Sequence, residues 1–133
     1  MNICVVGSGY VGLVTGTCLA DFGHHVICVD NNKKKIANLK KGVMPIYEIG
    51  LEDLVKRNTK EKRLTFTTDL KKAVSDSLVI YIAVGTPAKE DGTANLDYVF
   101  TVAREVAECI DEYKVIVTKS TVPVGTGRNI QKI

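Results

Sequence analysis

Several features that would have steered the reading elsewhere are missing from this sequence. No apolar run approaches the roughly 20 residues of a membrane-spanning helix. The apolar stretch after Met1 and Asn2 ends at Gly7, too short and without the basic flank of a secretory signal. Charge of one sign is scarce: 18 Lys and Arg against 15 Asp and Glu, scattered apart from Lys33, Lys34 and Lys35, make no case for a nucleic-acid or acidic-membrane partner. Cys4, Cys18, Cys28 and Cys109 contain no CxxC pair, and three of them lie in apolar runs where a small hydrophobe packs well. They are expected to be reduced thiols of a soluble, cytoplasmic protein. His24 and His25 have no Cys or His partner at metal-ligand spacing, so no metal site is expected. There is no internal repeat, low-complexity tract or linker, and 133 residues suit one compact domain.

What is present is an alternation of short apolar runs with longer amphipathic stretches, the pattern of βαβ units around a parallel sheet. Strands are expected at 3–6, 25–29, 64–67, 78–84 and 114–118, and helices at 11–21, 33–41, 51–60, 70–74 and 96–110. Asp69 and Asn95 are placed to cap the last two helices, and Gly23 and Gly42 to end earlier ones in a left-handed conformation. Glu52, Asp53, Lys56 and Arg57 recur at helical spacing, as on a solvated face. The fold class is therefore α/β, a Rossmann-like doubly wound parallel sheet with helices on both faces. A complete sheet of this kind has about six strands. Five are countable here, and residues 122–133 resemble a loop entering an unfinished helix, so the domain over 1–133 is expected to be incomplete at its C-terminus.

The chemistry is concentrated at GSGYVG. Gly7, Gly9 and Gly12 have G-x-G-x-x-G spacing, follow an apolar strand and open an amphipathic helix, and Asp30 ends the next strand about 20 residues on. Gly7 permits the tight turn, Gly9 lets a pyrophosphate approach the backbone, and Gly12 lets the helix press on the strand, with Gly16 and Ala20 continuing that face. The helix then offers the amides of Tyr10, Val11 and Gly12 to the phosphates. Asp30 can accept from both hydroxyls of an adenosine ribose, and it would repel a 2′-phosphate by about 4 kcal/mol per charge pair at ~4 Å before screening. NAD is thus expected over NADP, with one of the three lysines reaching the ribose and two solvated. The loops VGTPAKEDGTANLD and TKSTVPVGTG should also face the cofactor, offering Thr86, Ser120 and Thr121 as hydrogen-bonding groups, while Thr93 and Thr126 serve their own turns.

With these loops included, the sequence resembles the UDP-glucose/GDP-mannose dehydrogenase family along nearly all of its length. The motifs are GSGYVG from Gly7, Val29-Asp30, MPIYEIGLEDL from Met44, VGTP from Val84, EDGTANLDYV from Glu90 and KSTVPVGTG from Lys119. Ile49 and Ala88 stand where the family often has proline. The resemblance implies a homo-oligomeric, NAD-dependent enzyme that oxidises UDP-glucose to UDP-glucuronate with two NAD reduced, the aldehyde stage held on a catalytic cysteine. It assigns cofactor contacts to the Gly7, Gly9, Tyr10, Val11 and Gly12 turn, Asp30, Lys35, Thr86, Ser120 and Thr121, with Thr121 also placing a water near the reacting carbon. It also implies that the nucleophile, its lysine and asparagine, the linking helix and the UDP-sugar-binding domain lie outside these 133 residues, so that this chain alone is inactive. A relative acting on GDP-mannose or a UDP-amino sugar, and a stand-alone NAD-sensing module, are the alternatives.

Overall fold

Strands such as ICVV and HVICV are almost wholly apolar, as parallel strands covered on both faces must be. The computed structural model describes residues 1–133. Its elements follow in the order β1 (Asn2–Val6), α1 (Tyr10–Asp21), β2 (His25–Val29), α2 (Lys33–Lys40), α3 (Leu51–Lys60), β3 (Leu64–Thr67), α4 (Leu70–Ser75), β4 (Val79–Ile82), α5 (Asp97–Ala107), β5 (Val115–Thr118) and α6 (Thr126–Ile130). The strands make one all-parallel, 5-stranded sheet in the order β3-β2-β1-β4-β5. The order reverses between β1 and β4. That switch point is where open α/β sheets leave a crevice at the carboxyl ends of their strands.

Side-chain alternation divides the core. Ile3, Val5, Val26 and Cys28 face Leu13 and Ala20 of α1, Leu39 of α2 and Val55 of α3. Cys4, Val6, Val29 and Ile80 face the other way, against Ala73 and Val74 of α4 and Val106 of α5. Helices α1 to α3 therefore cover one face and α4 and α5 the other, which is the doubly wound arrangement expected. Each fully buried Val, Leu or Ile contributes about 1.5–3 kcal/mol relative to exposure.

Boundaries differ from expectation mainly around the longest loop. The strand expected at 78–84 is confined to Val79–Ile82, and the helix expected at 96–110 to Asp97–Ala107. Asp69 caps α4 as expected, accepting from the Lys72 amide at 3.0 Å. Asn95 does not occupy the cap of α5, which falls on Leu96 and carries no side-chain bond. Its own amide donates to the Pro87 carbonyl at 2.8 Å, closing the loop, while its Oδ1 accepts at 2.9 Å from the amide of Asp97, the first residue of α5, so the expected side-chain bond to a first-turn amide is made from one position ahead of the cap. That loop folds on itself through an antiparallel bridge between Ala88 and Ala94. Within it the Thr93 hydroxyl donates to Asp91, while in the next loop the Thr126 hydroxyl donates to the Pro123 carbonyl, so both threonines serve their own turns. On α3, Lys56 pairs with Glu52, while Arg57 crosses to Asp21 of α1.

Candidate dinucleotide site

The carboxyl end of β1 is gripped from both sides. The Gly7 amide donates to the Val29 carbonyl of β2 and the Ala83 amide donates to the Val6 carbonyl, each at 2.8 Å. A Cβ on Gly7, whose φ is +100°, would lie 2.6 Å from the Ala83 carbonyl oxygen, and one on Gly12 would lie 1.8 Å from the Gly7 oxygen. Gly12 thus presses the helix on the turn and on Ala83 rather than on a strand. The helix-to-strand contact belongs to Gly16, where a Cβ would meet Cys28 Sγ at 2.6 Å.

Gly9 is different in kind. Its φ of −76° is open to any residue, and a Cβ there would meet nothing within 4 Å. The fold supplies no steric reason for glycine here, and as the N-cap of α1 a Ser, Asp or Asn would serve better. A ligand brought against the bare backbone does supply a reason, and the position adjoins the start of α1. Gly9 provides no side-chain cap, and the first amide to find a carbonyl within the helix is that of Leu13, bonded to Gly9 at 2.9 Å. The amides of Tyr10, Val11 and Gly12 and the positive end of the helix dipole are left to meet an anion.

Asp30, 9% exposed, stands at the end of β2 beside this turn. Its Oδ2 accepts from the Ser8 amide at 3.0 Å, the Ser8 hydroxyl at 2.8 Å and Lys35 Nζ at 2.8 Å, and its Oδ1 accepts from the Asn32 amide at 3.0 Å. Local sequence builds the arrangement. Asn32 caps α2 by accepting from the Lys35 amide at 3.0 Å, which puts Lys35 in the helix's first turn facing Asp30, while Lys33 and Lys34 are exposed. Burial pushes the Asp30 carboxyl upward, but the donors, Lys35 foremost, outweigh it and hold it below the usual carboxylate range. A carboxylate offers about four lone-pair positions. Three donors crowd Oδ2 while Oδ1 accepts only one, so one ribose hydroxyl could join at Oδ1 and a second would have to displace a donor from Oδ2. The Lys35 ammonium, half-buried and on a flexible stem, is the exchangeable one.

Gly7, Gly9, Asp30 and Lys35 line one cleft of about 530 Å³, which continues past Val84 and Gly85 to a wall of α5 bearing Tyr98, Thr101 and Glu105. Its size and its mixture of apolar walls with a few polar groups are those of a small-molecule site. Thr86, Ser120 and Thr121 lie at the carboxyl ends of β4 and β5, outside that lining. Thr86 is half-buried and Thr121 exposed. Ser120 is buried and its hydroxyl donates to the Val84 carbonyl at 2.7 Å, bracing the two strand ends.

Cys4 and Cys28 are not set up as nucleophiles. Desolvation pushes Cys4 up to about 12, and burial pushes Cys28 up too, reinforced by Cys4. Cys18 and Cys109 are free and half-buried. No group of three or more His, Cys, Asp or Glu side chains converges as a metal site would require. No helix is long and apolar enough to cross a membrane.

Two features of the site escape sequence reasoning. Ser8 looks like a spacer between glycines, and nothing in the spacing announces its bonds to Asp30. The α5 wall did leave a signal, since Tyr98, Thr101 and Glu105 recur at i, i+3 and i+7, one helical face.

A doubly wound parallel sheet, a glycine turn feeding an uncapped helix and an acid at the end of the second strand together define a dinucleotide-binding domain. The sequence pattern of the UDP-glucose/GDP-mannose dehydrogenase family, NAD binding domain, matches residues 1–133, and the chain belongs to that family. It is 55% identical to the UDP-glucose 6-dehydrogenase of Rhizobium meliloti (strain 1021), covering 100% of this chain and 31% of the relative. It is also 55% identical to UDP-glucose 6-dehydrogenase TuaD of Bacillus subtilis (strain 168), over 99% of this chain and 29% of the relative. The solved ternary complex of GDP-mannose dehydrogenase from Pseudomonas aeruginosa superposes with a TM-score of 0.93 at 45% identity, covering 98% of this chain and 30% of that one. The chain thus spans less than a third of the length of these proteins. NAD, the cofactor of this domain, supplies a hydride acceptor when bound. The unhindered Gly9 backbone and the ionised Asp30 fit its diphosphate and its unphosphorylated ribose.

Proposed function

We propose that this chain is the cofactor-holding part of an enzyme that oxidises the C6 alcohol of UDP-glucose to the carboxylate of UDP-glucuronate. Two successive two-electron oxidations consume two NAD. The observation that carries the cofactor half is Gly9, a glycine with no steric or conformational reason in the fold, at the mouth of an uncapped helix. The substrate half rests on the 55% identity with UDP-glucose 6-dehydrogenases.

In this proposal the turn from Gly7 to Gly12, with the amides of Tyr10 and Val11, holds the diphosphate. Asp30 and Lys35 take the adenosine ribose, Thr86, Ser120 and Thr121 border the nicotinamide end, and Thr121 places a water. The nucleophilic cysteine and the UDP-sugar-binding domain belong to chain outside residues 1–133. Support for an incomplete domain comes from β5, which is half-exposed along its length and flanked by a groove of about 540 Å³ lined by Ile110, Val115, Ile116 and Ile130. We place the whole enzyme in the cytoplasm as a homo-oligomer. GDP-mannose is the alternative substrate, favoured by the 0.93 TM-score with a GDP-mannose dehydrogenase.

The test follows NADH at its absorbance band. The chain alone should produce none from UDP-glucose, and the whole enzyme containing it should do so with UDP-glucose in preference to GDP-mannose and UDP-amino sugars. NADH production by the chain alone would overturn the assignment of the nucleophile elsewhere.

A further inference from the structure

Ser8 occupies the x of Gly-x-Gly, yet it is 0% exposed and directs both of its donors, amide and hydroxyl, at the same atom, Oδ2 of Asp30, at 3.0 and 2.8 Å. Its hydroxyl bond spans 22 residues and ties the phosphate turn to the end of β2. We propose that Ser8 is a positioning residue for dinucleotide choice, holding the Asp30 carboxylate in the orientation that accepts a ribose hydroxyl and opposes a 2′-phosphate. The proposal rests on the assignment of the cleft to NAD.

The need for such a device follows from Lys35. The same Oδ2 accepts from Lys35 Nζ at 2.8 Å, and that ammonium is the group that could neutralise a 2′-phosphate. A carboxylate held by Lys35 and the Asn32 amide alone could turn with the flexible lysine, moving its charge away from the ribose edge. Ser8 donates from a backbone turn fixed by the Gly7 amide on Val29 and by Gly7's packing on Ala83, so it anchors Oδ2 to a part of the fold that does not move with Lys35. A hydrogen bond to an ionised group is among the stronger ones, and removing its donor leaves a 9%-exposed carboxylate short of a partner.

Ser8→Ala removes the hydroxyl and leaves the amide, with almost no change of shape. Calorimetric titration should show NAD binding weakened about tenfold and the preference for NAD over NADP narrowed, and Ser8→Thr should restore both. In an Asp30→Ala background the same Ser8→Ala change should alter NAD affinity by less than about twofold, because its effect passes through the carboxylate. Independently of any ligand, the Asp30 carboxyl carbon followed by NMR should titrate at higher pH in Ser8→Ala than in the unsubstituted chain. An equal loss of NAD affinity with and without Asp30, an unchanged NAD/NADP ratio, or an unmoved Asp30 titration would overturn the proposal while leaving the NAD site standing. Failure of the unsubstituted chain to bind NAD would overturn both.

Discussion

Replacing Gly9 by alanine separates what the fold needs from what the ligand needs. At φ −76° an alanine is unstrained, and its Cβ would find no protein atom within 4 Å. Two small effects oppose each other. Alanine restricts the unfolded chain, worth about 0.4–1 kcal/mol in favour of folding. Gly9 also sits at the N-cap of α1, where alanine is poorer than glycine by about 0.5–1 kcal/mol. The sum is near zero, within about 0.5 kcal/mol. Gly12→Ala is the contrast: its Cβ would lie 1.8 Å from a backbone oxygen, which no rotamer change relieves. A cost of about 3 kcal/mol or more follows, a large part of the roughly 5–15 kcal/mol that stabilises a domain. Urea unfolding should therefore give Gly9→Ala an unchanged midpoint and slope, and Gly12→Ala a much lower midpoint. NAD affinity should fall at least about a hundredfold in Gly9→Ala, about 2.7 kcal/mol, because the methyl fills the space meant for the diphosphate. A Gly9→Ala midpoint as low as that of Gly12→Ala, or undiminished NAD binding, would refute the assignment of that open space to a ligand.

Other consequences can be measured on the same material. Gly16→Ala should destabilise by about 1–3 kcal/mol through the 2.6 Å approach to Cys28 Sγ, and adding Cys28→Ala should recover part of that loss in a double-mutant cycle of urea midpoints. The folded Asp30 carboxyl titrates below its unfolded value of about 3.9, so the unfolded chain binds the proton first on acidification. Its stabilisation is full above that unfolded value and is lost as pH falls through the depressed one. Urea midpoints compared between the unsubstituted chain and Asp30→Asn should accordingly diverge as pH rises out of the acid range and then run parallel. Toward an aromatic disulfide reagent, Cys4 and Cys28 should remain unreactive until the chain unfolds, whereas Cys18 and Cys109 should react sooner; early loss of all the thiols at one rate would contradict their burial.

The fold was largely legible in the sequence because its signals are local. Apolar runs bounded by glycine and Asx residues mark parallel strands, and four of the five expected strands lie within one residue of their observed ends. Gly23 and Gly42 take the left-handed conformations expected of them, with φ of +93° and +78°. The candidate site was legible where a short-range rule applies, at the glycine turn and the acid after β2, whereas which of the three lysines turns toward Asp30 depends on the Asn32 cap, and only the family resemblance singled out Lys35. It was not legible where long-range pairing decides. Ser8 and Asp30 meet across a crossover connection, so the crowding of donors on Oδ2 could not be read from spacing. Asn95 was legible in part: its side chain accepts from the first amide of α5, but the cap position falls one residue later, on Leu96.

Titrating this chain with NAD and with NADP in parallel, at one salt concentration, tests the central claim most directly. Saturable NAD binding at a single site is predicted, with NADP at least about tenfold weaker because Asp30 stays ionised and fixed beside the ribose, Lys35 offsetting part of the repulsion. No saturable binding of NAD, or NADP binding as tightly as NAD, would contradict it.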